Sequence, residues 1–72
     1  MTIGQRGYIA IHDRASEKNI TVQQECDDLD INSSIVGYWK RGASNPRADV
    51  LQKMALNGYD VIYILTGEKH EV

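Results

Sequence analysis

Cysteine is almost absent. Cys26 is the only one in 72 residues, so no internal disulfide can form, which suits a reducing cytoplasm. Its neighbours Glu25, Asp27 and Asp28 raise a thiol pKa, so a small buried hydrophobe is a better use of Cys26 than a reactive nucleophile. No apolar run is long enough to span a bilayer, and no charged-then-apolar leader precedes the rest. His12 and His70 stand alone without ligand-like spacing to Cys26, so both are expected at the surface and no metal site or cofactor follows. Internal repeats, low-complexity runs and interdomain linkers are missing too. A chain this short is expected to fold as one domain, residues 1–72, with a core of about a dozen side chains. That leaves little room for a catalytic cavity, and no acid–base or nucleophile pair can be assembled. An enzyme is not expected.

Net positive charge is lacking as well: 8 Lys and Arg stand against 10 Asp and Glu, a balance of -2. The distribution matters more than the sum. Residues 31–48 hold Lys40, Arg41 and Arg47 and no acid, a block of +3, while the remaining residues hold 5 basic and 10 acidic groups. Attraction to phosphate needs such a local patch, and an acidic remainder opposes adhesion elsewhere.

What is present is a succession of five short helices. The first covers about 7–18, with Tyr8, Ile11 and Ala15 at helical spacing and Gly4 and Gly7 before or at its start; Tyr8 to Ile11 also fits a short strand. Thr21 caps a second helix over 22–29, with Cys26 and Leu29 inward, and Asp30-Ile31 makes a tight turn. The third helix runs 33–41 and ends at Gly42. Pro46 precedes a fourth over 47–57, where Leu51, Met54 and Ala55 form a stripe. Asp60 caps a fifth over 61–66, with Val61, Ile64 and Leu65 inward, Gly67 closing it and a polar frayed tail over 68–72.

The third helix carries the most information. In Ile31-Asn32-Ser33-Ser34-Ile35-Val36-Gly37-Tyr38-Trp39-Lys40-Arg41-Gly42, Asn32 caps, while Val36 and Trp39 pin one face to the core. Ser33, Ser34, Gly37 and Tyr38 then project away from it. Small hydrogen-bonding groups on a docked helix suit the edges of base pairs in a major groove. An ordinary amphipathic helix explains the same spacing; the basic exit at Lys40-Arg41 tips the balance.

Together Ile20-Thr21, Cys26, Leu29-Asp30-Ile31, Val36, Trp39, Arg41-Gly42, Pro46, Leu51, Met54-Ala55 and Asp60 to Glu68 resemble the helix-turn-helix domain of phage repressors and Cro-like regulators, the XRE family. The resemblance covers residues 20–68. It implies an all-α, five-helix lambda-repressor-like fold and a cytoplasmic, nucleoid-associated bacterial protein. It also implies double-stranded DNA as partner, bound at a near-palindromic operator by a homodimer. On this alignment Ser33, Ser34, Gly37 and Tyr38 face base edges, with the Tyr38 ring placed for a thymine methyl. Lys40, Arg41, Ser44, Asn45 and Arg47 face phosphates. Thr21, Gln23 and Asn32 bring helix starts to the DNA backbone. Ile62 and Tyr63 would lie off the core-facing stripe and pair two copies.

The chain departs from the family pattern at four places. Val22 stands where glutamine is common, Glu25 where leucine is common, Asp30 at the glycine of the turn, and Lys40 where glutamate often precedes Arg-Gly. A chain stopping just past the fifth helix suits a complete Cro-like protein and the DNA-binding part of a longer repressor alike. The rival expectation is a protein-interaction module of the same fold, antirepressor- or antitoxin-like, without strong DNA binding.

Overall fold

Two Thr-x-x-Gln sequences open helices in the computed structural model, which describes residues 1–68. The Gln5 N–H donates to Thr2 Oγ1 at 3.0 Å while the Thr2 N–H donates to Gln5 Oε1 at 2.9 Å. Thr21 and Gln24 repeat the exchange at 3.1 and 2.8 Å. Each reciprocal pair satisfies two backbone donors that a helix start leaves orphaned. They open α1 (Ile3–Lys18) and α2 (Val22–Asp28). Asn32 Oδ1 accepts the Ser34 N–H to cap α3 (Ser33–Lys40), and Asp60 Oδ1 accepts the Tyr63 N–H to cap α5 (Val61–Thr66), both at 3.0 Å. α4 (Ala48–Leu56) begins after Pro46-Arg47 with no side-chain cap bond. The fold is all-α, with no strand among the described residues.

Four helices end alike. A residue in the left-handed region follows the last turn, at Asn19, Asp30, Gly42 and Gly58. The next N–H reaches back to a carbonyl five residues earlier, as Ile31 does to Cys26 at 2.9 Å and Ala43 to Tyr38 at 3.0 Å. This closes the orphan carbonyls of the helix end. Asp30 is the costly member, since its φ of 58° suits glycine better. Lys53 secures it from α4, donating to the Asp30 carbonyl at 2.8 Å.

α1 is the hub, packing on α2, α3 and α5. Ile11, Cys26, Val36, Trp39, Met54 and Ile64 form the fully enclosed core, with Leu29, Ile31, Val50 and Tyr59 around it. Trp39 lies over the start of α1. A Cβ on Gly4 would fall 3.1 Å from the Trp39 Cα and collide with the Ser44 carbonyl, and one on Gly7 would meet the Trp39 ring at 3.4 Å. Both glycines are close-approach positions inside the helix.

That corrects the sequence reading of α1. The helix starts at Ile3, four residues before the expected start, and no strand forms at Tyr8 to Ile11. Glycine spacing suggested a boundary where Trp39 and the Ser44 carbonyl required clearance. Other boundaries differ by a residue at the ends. On α4 the inward face turns by one position: Val50 and Met54 are buried, Leu51 is half-buried and Ala55 is exposed. On α5, Ile64 is buried and Val61 half-buried, but Leu65 is 44% exposed. In the last turn of α5, α1 offers the Arg6 guanidinium to the backbone carbonyls of Ile64 and Leu65. Tyr63, expected off the core, packs against it. His12 is exposed as expected; His70 and the end of the expected tail lie outside the described residues. No helix among the described residues is long and apolar enough to cross a membrane.

Candidate nucleic-acid interface

α3 is held from one side only. Val36 and Trp39 are buried at 1% exposure, and Ile35 packs half-buried against the same core. The opposite face carries Ser34, Tyr38 and Arg41, spaced at four and three residues and all exposed. Ser33 is half-buried beside them. At Gly37 an added Cβ would meet nothing within 4 Å. No packing inside this chain therefore requires glycine there. Gly37→Ala should raise stability by about 1 kcal/mol, or about 4–8 °C in melting temperature for a domain of this size. Calorimetry checks it; a lower melting temperature would mean that the open face is an incorrect description.

The polar groups on this face are already ordered. Ser34 Oγ donates to Asn32 Oδ1 at 2.6 Å, and that oxygen also takes the Ser34 N–H. The Arg41 guanidinium sits over the Tyr38 ring, 4.8 Å from its centroid, and the Lys40 ammonium lies 5.4 Å from the Tyr8 ring. Tyr8 was not among the expected site residues. Beside it Met1, Gln5, Tyr8, Ile9 and Lys40 line a shallow depression of about 290 Å³.

The loop after α3 folds back onto α1. Asn45 Oδ1 accepts the Gly4 N–H at 3.0 Å, so its oxygen anchors the loop to a helix-start donor. The Nδ2 amide, the half of the side chain that donates to a phosphate, is not used by this bond. Ser44 stays exposed, as does Arg47, the N-cap residue of α4, whose guanidinium is 3.6 Å from Asp49. That pair is almost wholly in water and holds Arg47 only loosely. Thr21 and Gln23 are exposed at the start of α2, with no hydrogen bond to the α3 face among the described residues. Val22, at the position where the resemblance expects glutamine, packs half-buried against the core.

Elsewhere the cations are occupied. Arg6 donates to the carbonyls of Ile64, Met1 and Leu65 at 2.8–3.2 Å. Arg14 donates to those of Asn57 and Gly58 and covers the Tyr59 ring at 4.0 Å. Lys18 Nζ donates to Glu25 Oε1 at 2.7 Å, and Tyr59 Oη donates to Glu25 Oε2 at 2.5 Å. Glu25 is 1% exposed. Burial by itself would raise its carboxyl pKa, but the bonds from Lys18 and Tyr59, with the charges of Lys18 and Arg14, bring it below the ordinary carboxylate value. Burial first, then the Glu25 carboxylate, push the Tyr59 phenol well above the usual tyrosine range. Burial, with Asp27 and Glu25, likewise raises the Cys26 thiol, which is inert in the core.

Lys40, Arg41 and Arg47 thus differ from the other cations of the described residues. None of them donates a hydrogen bond there, and two rest on aromatic rings. They are also the three cations of the acid-free block. No family model, curated protein or solved structure matches this chain. The functional reading therefore rests on the site itself. Among the described residues no group of His, Cys, Asp and Glu could hold a metal ion.

Proposed function

We propose that this chain is a sequence-specific DNA-binding transcriptional regulator of the phage repressor and Cro-like helix-turn-helix kind, acting in a bacterial cytoplasm. α3 enters the major groove of an operator while Lys40, Arg41 and Arg47 take flanking phosphates. Occupying the operator would block polymerase. One observation carries this reading: among the described residues, the only Lys and Arg side chains left unspent by internal hydrogen bonds are those flanking the ordered polar face of α3. Phosphate contact supplies affinity, and side chains on that face supply choice of sequence. Ile62 and Leu65, 49% and 44% exposed on α5, support a homodimer on a near-palindromic site.

Selection from a random duplex pool, with the winner titrated across salt concentrations, tests the proposal. Arg41→Ala and Arg47→Ala should each weaken binding and lower the salt slope by about one per lost phosphate contact, and Arg47→Ala, which touches no base-facing side chain here, should weaken all sequences alike. Variants as tight as the parent at every salt concentration would remove the patch from the interface. The second reading, a protein-interaction module, draws on Val22 at the position where the resemblance expects glutamine and on the exposed Leu56, Ile62 and Leu65. It expects no duplex to be selected.

A further inference from the structure

Ser34 and Tyr38 are one helical turn apart on the exposed face of α3, and each is constrained by a neighbour. The Ser34 hydroxyl gives its proton to Asn32 Oδ1 at 2.6 Å. A serine hydroxyl has one proton, so what it turns outward is lone pairs: it is an acceptor there and no longer a donor. Tyr38 has one ring face covered by the Arg41 guanidinium at 4.8 Å, yet the side chain as a whole remains 51% exposed. The ring is held in place before any ligand arrives, with its uncovered apolar surface turned outward, so little ordering cost remains to be met on binding.

Resting on the DNA-binding reading, we propose that this pair selects a thymine beside an amino-bearing base, with the Tyr38 ring receiving a thymine C5-methyl and the Ser34 oxygen accepting the amino group of an adenine or cytosine on a neighbouring pair. In the major groove only adenine and cytosine present an amino donor, and only thymine presents a methyl group. An acceptor at Ser34 rejects guanine and thymine, which offer only acceptors at their edges. An apolar ring at Tyr38 gains most from the one base with a methyl. A thymine at the ring with adenine or cytosine at Ser34 satisfies both positions, whereas G·C runs satisfy Ser34 alone and leave the ring against a bare cytosine edge. Arg41 contributes by fixing the ring, and its own charge serves any sequence.

The experiment uses the full chain and the duplex that it selects from a random pool, prepared with thymine or with deoxyuridine, which lacks the C5-methyl, at each thymine in turn. Tyr38→Phe, Tyr38→Ala and Ser34→Ala are compared with the parent; both sites are solvent-facing, and unchanged melting temperatures verify folding. At one thymine per half-site, uracil should weaken the parent and Tyr38→Phe by about threefold, the scale of one buried methyl. Tyr38→Ala should bind both duplexes alike, and Ser34→Ala should accept any base at the neighbouring pair. A parent indifferent to every methyl, or Tyr38→Ala keeping the parent's thymine-to-uracil ratio, overturns the proposal while leaving DNA binding intact. If no duplex is selected at all, the DNA-binding reading falls and this inference with it.

Discussion

Trp39→Ala should unfold the chain, or bring it to the edge of unfolding, at room temperature. The ring is 1% exposed and sits against α1 where Gly4 and Gly7 leave room for Trp39 and the loop after it. Removing a buried tryptophan costs about 3–5 kcal/mol. A domain of 72 residues has about 4–11 kcal/mol in all, at about 0.05–0.15 kcal/mol per residue. The ring lies between α3 and the start of α1, so its removal leaves a void where the two helices pack. Far-UV circular dichroism and urea titration check it. A well-folded Trp39→Ala protein that had only lost DNA affinity would make the tryptophan a contact residue and the packing description wrong.

The second large effect belongs to the carboxylate of Glu25, enclosed between α1 and the turn before α5. Lys18→Met removes its only hydrogen-bonded cation and leaves a buried charge with the Tyr59 hydroxyl. Breaking a fully buried pair costs about 3–5 kcal/mol. Lys18 is 45% exposed and the Tyr59 bond is retained, so water screens the loss and this variant is placed lower, at about 1–3 kcal/mol. The pH dependence has a definite sign. Because the folded-state carboxyl titrates below its ordinary value of 4.5, its contribution is complete above that pH and is lost as the pH falls through the folded value. Without Lys18, burial gains weight, the folded pKa rises and the acid limb moves to higher pH. Urea unfolding across a pH series reads both quantities. Glu25→Gln in the Lys18→Met background should recover much of the loss; an unchanged acid limb in Lys18→Met would show that the ion pair does not exist in solution.

Local chemistry made most of the secondary structure legible. Thr21, Asn32 and Asp60 were recognisable as caps, and Gly42, Gly58 and Gly67 as stops, because each acts within a few residues of itself. The burial of Val36, Trp39, Met54 and Ile64 followed from spacing along each helix. What could not be read depended on distant partners. Gly4 resembled a helix boundary because its meaning lies in Ser44 and Trp39, about forty residues away. The anchoring role of the Asn45 oxygen was hidden because nothing near it in sequence announces the Gly4 N–H. The Thr2 to Gln5 capping box was available as a signal and would have placed the start of α1 correctly. For the interface, the residue types were visible and the order among them was not. A serine next to an asparagine does not say which one donates, and Tyr8 gave no sign that Lys40 would rest on it.

Arg6 bears on how the chain assembles. Its guanidinium ties the first helix to carbonyls of the last across a separation of 58 residues. Closing so long a loop is an entropic cost that grows slowly with length but must be met almost whole before the bonds form. α1, which touches three of the other helices, cannot complete its own surroundings until the last helix has arrived. Folding should accordingly be a single event, with no stable sub-assembly of the early helices to accumulate on the way.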